Sequence, residues 1–153
     1  MTCIVALRRG GRTIVGCDSL ISTGDSKSGN ICKIYEFPGA LIAFSGIVTM
    51  SHVLEEMSKS KRVKKYFSIT SAEDARDFSK RVFRALREDF SHTNNDNLVS
   101  EPNFILIATK NAIYHIDVAL CCLTAEQFAS IGSGQDPAKA ILWAMWDVEK
   151  DLE

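Results

Sequence analysis

Thr2-Cys3-Ile4-Val5-Ala6-Leu7-Arg8-Arg9-Gly10-Gly11-Arg12-Thr13-Ile14-Val15-Gly16-Cys17-Asp18 begins the chain after Met1 with two apolar runs separated by paired glycines. Thr2 to Leu7 is rich in apolar and β-branched residues, and Thr13 to Cys17 repeats that character. Arg9-Gly10-Gly11-Arg12 lies between them as a turn signal. Two short runs of this kind around paired glycines predict a β-hairpin. Asp18-Ser19 and the stretch from Gly24 to Asn30 read as loops around a short extended piece. Ile31 to Phe37 and Ala40 to Phe44 then read as two strands about a Pro38-Gly39 turn.

Beyond Phe44 the hydrophobic period changes. Met50, Val53, Leu54 and Met57 recur at helical spacing. Lys59 to Lys65 is a basic run, read as a solvated helix end and loop rather than a nucleic-acid patch. Thr70 or Ser71, with Glu73 or Asp74 three residues on, forms a capping box. The helix it opens carries a stripe of Ala75, Phe78, Val82, Ala85, Leu86 and Phe90. His92 to Glu101 is polar and reads as a loop. Asn103 to Thr109 and Ala112 to Asp117 form a second predicted hairpin, and Ala125 to Ile131 a further strand. Asp136-Pro137 reads as an N-cap and first helical residue, with Ile141, Leu142, Met145 and Leu152 on the face that follows. Strands cluster and helices come between the clusters. Two antiparallel sheets packed together, with helices outside, satisfy that order.

The chain of 153 residues fits one domain, residues 1–153. Its net charge of −1 lacks the Lys/Arg excess of a nucleic-acid binder. No run of 18 apolar residues is present, so no membrane helix is expected. The cysteines, Cys3, Cys17, Cys32, Cys121 and Cys122, form no CxxC pair. They read as free thiols in a cytoplasmic protein, not as a disulfide or zinc framework.

Four features could carry chemistry. Thr2 follows the initiator Met, and a small second residue permits removal of Met1. That would expose an α-amine titrating near ~7.7–8.0 beside the same residue's hydroxyl. A threonine hydroxyl is a weak nucleophile until a base takes its proton, and this amine can be the base. Met-Thr alone is a common beginning and says little. Asp18 closes the strand that pairs with the Thr2 strand, and Lys33 sits among Ile31 and Ile34 on the next. An ammonium near Thr2 would favour loss of a proton there, and an aspartate would hold the ammonium. Pattern alone favours a surface lysine on an alternating strand.

Phe44-Ser45-Gly46 ends a strand before a helix, where a backbone N–H could meet an oxyanion or simply form a turn. Gly132-Ser133-Gly134 could place a hydroxyl beside the nucleophile, although Gly-Ser-Gly is also a common turn. No GxxxxGK[ST] phosphate loop is present. His52, His92 and His115 belong to no nucleophile elbow, and Trp143 and Trp146 suit packing or a subunit contact.

In this order the features resemble the proteasome β-type family of N-terminal nucleophile (Ntn) hydrolases, above all its bacterial HslV-type peptidases. The opening from Thr2 to Gly11 is similar to the HslV mature terminus. Ser28-Gly29-Asn30-Ile31-Cys32-Lys33-Ile34 resembles the segment leading to that family's lysine. Ala43-Phe44-Ser45-Gly46 resembles its oxyanion segment, and Ile131-Gly132-Ser133-Gly134 its late Gly-Ser-Gly motif. The resemblance implies an α+β, four-layer αββα sandwich and a threonine endopeptidase. Thr2 would be the nucleophile and, through its amine, the base. Lys33 would ease proton loss, Asp18 would orient Lys33, Gly46 would bind the oxyanion and Ser133 would support the amine. No metal or organic cofactor is implied.

The implied partners are unfolded polypeptide, further copies in a homo-oligomeric ring, and a hexameric AAA+ ATPase, with neither nucleic acid nor membrane. The sequence departs from the family pattern at Ser19 and Ile47, where glycine is usual. The family also continues past the last helix here, so the expectation is a C-terminally short version. A non-catalytic proteasome-like assembly subunit and a truncated inactive homologue are the alternatives. Cys3 as nucleophile would require loss of Thr2 as well.

Overall fold

The computed structural model describes residues 2–23, 26–89, 103–125 and 127–150. In chain order the strands begin with β1 (Ile4–Arg9), β2 (Arg12–Cys17), β3 (Leu20–Thr23), β4 (Ser26–Asn30), β5 (Ile34–Phe37) and β6 (Ala40–Ser45). The helices α1 (Met50–Lys59), α2 (Lys61–Tyr66) and α3 (Ala72–Asp89) follow. Strands β7 (Phe104–Thr109), β8 (Ile113–Asp117), β9 (Cys122–Ala125) and β10 (Phe128–Ile131) lead to α4 (Gln135–Lys150).

The opening hairpin forms as read, with Ile4 opposite Cys17 and Arg9 opposite Arg12 across the Gly10-Gly11 turn. β10 pairs on the other side of β1, giving a three-stranded sheet in the order β10-β1-β2. A five-stranded antiparallel sheet runs β5-β6-β7-β8-β9, and β3-β4 make a separate ribbon. The two larger sheets stack on a core of Ile4, Ala6 and Ile131 from one and Ala43, Leu106 and Ile113 from the other. The far face of the five-stranded sheet, including Ile42, Phe44, Ile105 and Ile107, packs under Leu54, Phe78, Val82 and Leu86 of α1 and α3. α4 covers the outer face of the three-stranded sheet through β10 and β1. This is the αββα sandwich that the element order implied. It also explains the continuous apolar runs of β6 and β7, whose successive side chains enter opposite cores.

The capping box resolves to Ser71 and Asp74. Ser71 Oγ accepts from the Asp74 N–H at 3.1 Å, and Asp74 Oδ2 accepts from the Ser71 N–H at 3.0 Å. Four expectations are corrected. Residues 61–66 are helical, not loop: the Ser60 hydroxyl accepts from the Val63 N–H, and Val63 packs against the core. The short extended piece after Asp18 is β3, but Ser26–Asn30, read as loop, is its partner strand β4. The strand expected over 125–131 is two strands, β9 ending on the large sheet and β10 beginning on the small one. Asp136 lies inside the first turn of α4 rather than capping it, where its charge still suits the helix N-terminus. Met1, Phe90, His92, the loop expected over 92–101 and Leu152 lie outside the described residues.

Candidate active site

The five predicted residues converge where both sheets end. Thr2 precedes β1, Asp18 follows β2, Lys33 precedes β5, Gly46 follows β6, and Ser133 stands between β10 and α4. Lys33 is 4% exposed, unlike the surface lysine that pattern alone favours. Its ammonium donates to Thr2 Oγ1 at 3.2 Å, to Asp18 Oδ2 at 2.8 Å and to the Leu20 carbonyl at 2.8 Å. Three bonds use all three protons, so the buried cation is fully satisfied and fixed in direction.

Asp18 is held as firmly. Its Oδ1 accepts from the Cys3 N–H at 2.7 Å and its Oδ2 from the Leu20 N–H at 3.0 Å. Burial pushes the carboxyl up, but the bonds from Lys33, Cys3 and Leu20 outweigh it and keep it below the ordinary aspartate range. An ionised Asp18 therefore faces Lys33 at neutral pH. The register makes this possible: Ile4 lies opposite Cys17, so the residues just past the strand ends, Cys3 and Asp18, are neighbours.

On the other flank of Thr2, its N–H donates to Ser133 Oγ at 3.0 Å, and its carbonyl accepts from the Gly134 N–H at 3.0 Å. This close approach needs Gly132. At its φ of 94°, a Cβ would lie 2.4 Å from the Thr2 carbonyl oxygen. Gly46 is equally constrained: at φ 137°, a Cβ would fall 2.0 Å from Asn103 Oδ1. That same oxygen accepts from the Ile47 N–H at 2.8 Å, and Asn103 is fully buried. Asn103 thus pins the turn carrying Gly46. Sequence reading placed Asn103 only at the edge of a strand; its faint signal is one amide side chain directly before the apolar run from Phe104 to Ala108.

Thr2, Lys33 and Gly46 open onto a narrow cleft of about 80 Å³ walled by Leu20, Ile21, Ile31, Phe44 and Val48. The Cys3 thiol donates to the Gly134 carbonyl at 3.7 Å. His115 packs against Phe104 in the five-stranded sheet, where burial lowers its pKa, and joins none of the site's bonds. Among the described residues no three His, Cys, Asp or Glu side chains cluster as a metal site would require. The arrangement can hold a hydroxyl against a fixed cation, with a backbone amide and a second hydroxyl beside it.

Comparison with known proteins agrees with the fold. The model of the proteasome subunit family matches residues 1–153. No curated protein matches the sequence significantly. Among solved structures, BPH from Thiobacillus denitrificans in complex with epoxomicin has a TM-score of 0.76 at 19% identity, over 94% of this chain and 79% of that one. Eukaryotic HslV from Trypanosoma brucei has a TM-score of 0.55 at 20% identity, over 90% of this chain and 75% of that one. The Anbu complex of Pseudomonas aeruginosa, a helical assembly, has a TM-score of 0.61 at 16% identity, over 88% of this chain and 61% of that one. At these identities the likeness shows the fold alone.

Proposed function

The chain belongs to the proteasome subunit family, and on that premise we propose that it is a threonine-type peptidase with Thr2 as nucleophile. The observation that carries the reading is the contact of Lys33 Nζ with Thr2 Oγ1 at 3.2 Å, with Asp18 locked behind it. Removal of Met1 makes the Thr2 nitrogen a free amine, held by Ser133. The amine takes the hydroxyl proton as Oγ1 attacks the scissile carbonyl, and the Lys33 cation favours the developing alkoxide. The Gly46 N–H stabilises the oxyanion. The proton passes to the leaving amine, the C–N bond breaks, and an ester on Thr2 remains. Water, deprotonated by the same amine, hydrolyses that ester and restores the hydroxyl. No metal or cofactor enters these steps.

The narrow cleft supports a compact substrate side chain beside the scissile bond, between the apolar walls of Leu20, Ile21, Ile31 and Val48 and the polar edge of Thr2, Lys33 and Ser45. Substrates are unfolded polypeptides, which can present such a side chain. The assembly is a homo-oligomeric ring in the cytoplasm, fed by a hexameric AAA+ ATPase. The exposed Ile141, Trp143 and Met145 of α4 support the self-association in that reading. Among the described residues no helix is long and apolar enough to cross a membrane.

The deciding experiment joins intact mass to an electrophilic peptide probe. The expected result is a chain lacking Met1 with one adduct on Thr2, and no adduct on Thr2→Ala. Hydrolysis by Thr2→Ala should fall by about 10⁴-fold or more. A soluble, assembled protein that retains Met1 overturns the reading in favour of a non-catalytic assembly subunit.

A further inference from the structure

Away from the Thr2 cleft, α1, α2 and α3 surround a cavity of about 480 Å³. Met57, Val63, Phe67 and Phe78 line it, and Tyr66 stands at its edge. The lining is firmly seated. The Phe67 and Phe78 rings meet edge-on at 5.4 Å, and Phe37 of β5 touches both, at 4.9 and 5.4 Å. The volume lies in the range of about 300–1,000 Å³ usual for small-molecule sites. It shares no lining residue with the Thr2 cleft.

Two guanidiniums, Arg62 on α2 and Arg81 on α3, also line the cavity. Nearby cations are matched within their own helices: Lys59 pairs with Glu55, and Arg84 with Glu88. Among the described residues Arg62 and Arg81 have no ion-pair partner. Asp77, one turn before Arg81, lines the adjoining cavity without pairing with it. The Asp74 carboxylate in that second cavity is taken by Thr70 and Ser71. Lys61, Lys64 and Lys65 add positive charge along α2. The mouth therefore has an excess of donors and of positive charge above an aromatic floor.

We propose that this cavity binds a small free carboxylate carried on a compact apolar body, of the aryl or short alkyl class. The apolar body would pack on Met57, Phe67 and Phe78, while the carboxylate bridges Arg62 and Arg81. A planar guanidinium offers paired donors that match a carboxylate's two oxygens. A peptide segment suits the site less well. It brings amide N–H groups that need acceptors, and among the described residues the only side-chain oxygen on the wall is the Tyr66 hydroxyl. The inference does not depend on the peptidase reading, because binding can be measured on a protein with no hydrolytic activity.

The test titrates phenylbutyrate into the full chain in its native assembly, by calorimetry with aromatic NMR shifts as a second readout. The expected result is saturable binding at one site per chain, with shifts at Phe67 and Phe78. The neutral amide of the same acid should bind about tenfold more weakly or worse, and so should phenylbutyrate to the double variant R62Q/R81Q. Both arginines are exposed, so this variant should keep its fold, which circular dichroism checks. Met57→Trp, which narrows the cavity and spares both charges, should also weaken binding. Equal affinity for acid and amide, unchanged affinity in R62Q/R81Q, or no saturable binding would each overturn the proposal. Tighter binding of a peptide ending in Phe than of phenylbutyrate would overturn it too, by making a protein terminus the occupant.

Discussion

The five-stranded sheet is covered on both faces, by α1 and α3 on one side and by the smaller sheet on the other, whereas the three-stranded sheet has α4 alone on its outer side. The accessibilities follow that division except at the β9 edge of the large sheet, where Leu123 is 61% exposed. Ile42, Ile105, Leu106 and Ile107 in the large sheet are fully buried, while Ile14 on β2 is 68% exposed and Trp143 on α4 is 56% exposed. Yet the better-covered sheet is not the one that presents the proposed nucleophile. Thr2, Asp18 and Ser133 hang from the ends of the thinly covered sheet, and the large sheet supplies Lys33 and Gly46 to meet them. The well-buried large sheet is the surface against which the small sheet sets Thr2. The two are joined by the apolar core between them and, at the site end, by the bonds of Lys33 to Thr2 and Asp18.

Ile107→Ala should break the large sheet most severely. Ile107 is fully buried among the residues under α1 and α3, so truncation opens a cavity with no solvent to fill it. A loss of about 3–4 kcal/mol in chemical denaturation is expected.

Asp18→Asn tests the joint between the sheets. It leaves the Lys33 ammonium buried without its counter-charge and should cost about 3 kcal/mol, somewhat less if water reaches the carboxyl side. The pH dependence has a definite sign. The folded carboxyl titrates below its ordinary range, so its contribution is complete above that range and is lost as pH falls through the lowered value. The stability gap between wild type and Asp18→Asn, from urea melts across acid pH, should therefore be constant near neutrality and shrink in acid. A gap that widens in acid would contradict the assigned bonds.

Both sheets left their mark on the sequence unequally. The β1-β2 hairpin was legible because two apolar runs flank paired glycines, and α3 because its stripe has helical period and a capping box. The β3-β4 ribbon was not, since Ser26-Lys27-Ser28-Gly29-Asn30 has the composition of a loop and owes its pairing to register with Leu20 and Ser22. α2 was hidden by its lysines, whose charge reads as solvent exposure although Lys and Arg form helices well. At the site, the residue types at Thr2, Asp18, Lys33 and Ser133 were visible in order, but their meeting depends on which strands pair. Asn103 escaped because its hold on the Ile47 N–H reaches across 56 residues of chain separation.

Asn103→Ala sharpens this point. It leaves the Ile47 N–H without its acceptor and frees the turn that carries Gly46, so about 2 kcal/mol of stability should be lost. If that turn supplies the oxyanion donor, hydrolysis should show kcat falling more than KM rises, because a ground-state substrate gains little from the amide. A matching fall in stability with kcat unchanged would confine Asn103 to structure.

The smallest effect belongs to the exposed outer face. Ile14→Thr keeps β-branching and removes little buried area, since the side chain is already 68% exposed. In the isolated chain its cost should stay within about 0.5 kcal/mol. In an assembly that covers this face the same change would meet a desolvated surface, and native mass spectrometry should show weaker association with monomer stability unaltered. A large loss in the monomer itself would mean that β2 has cover that its accessibility denies, and the contrast between the two sheets would fail there.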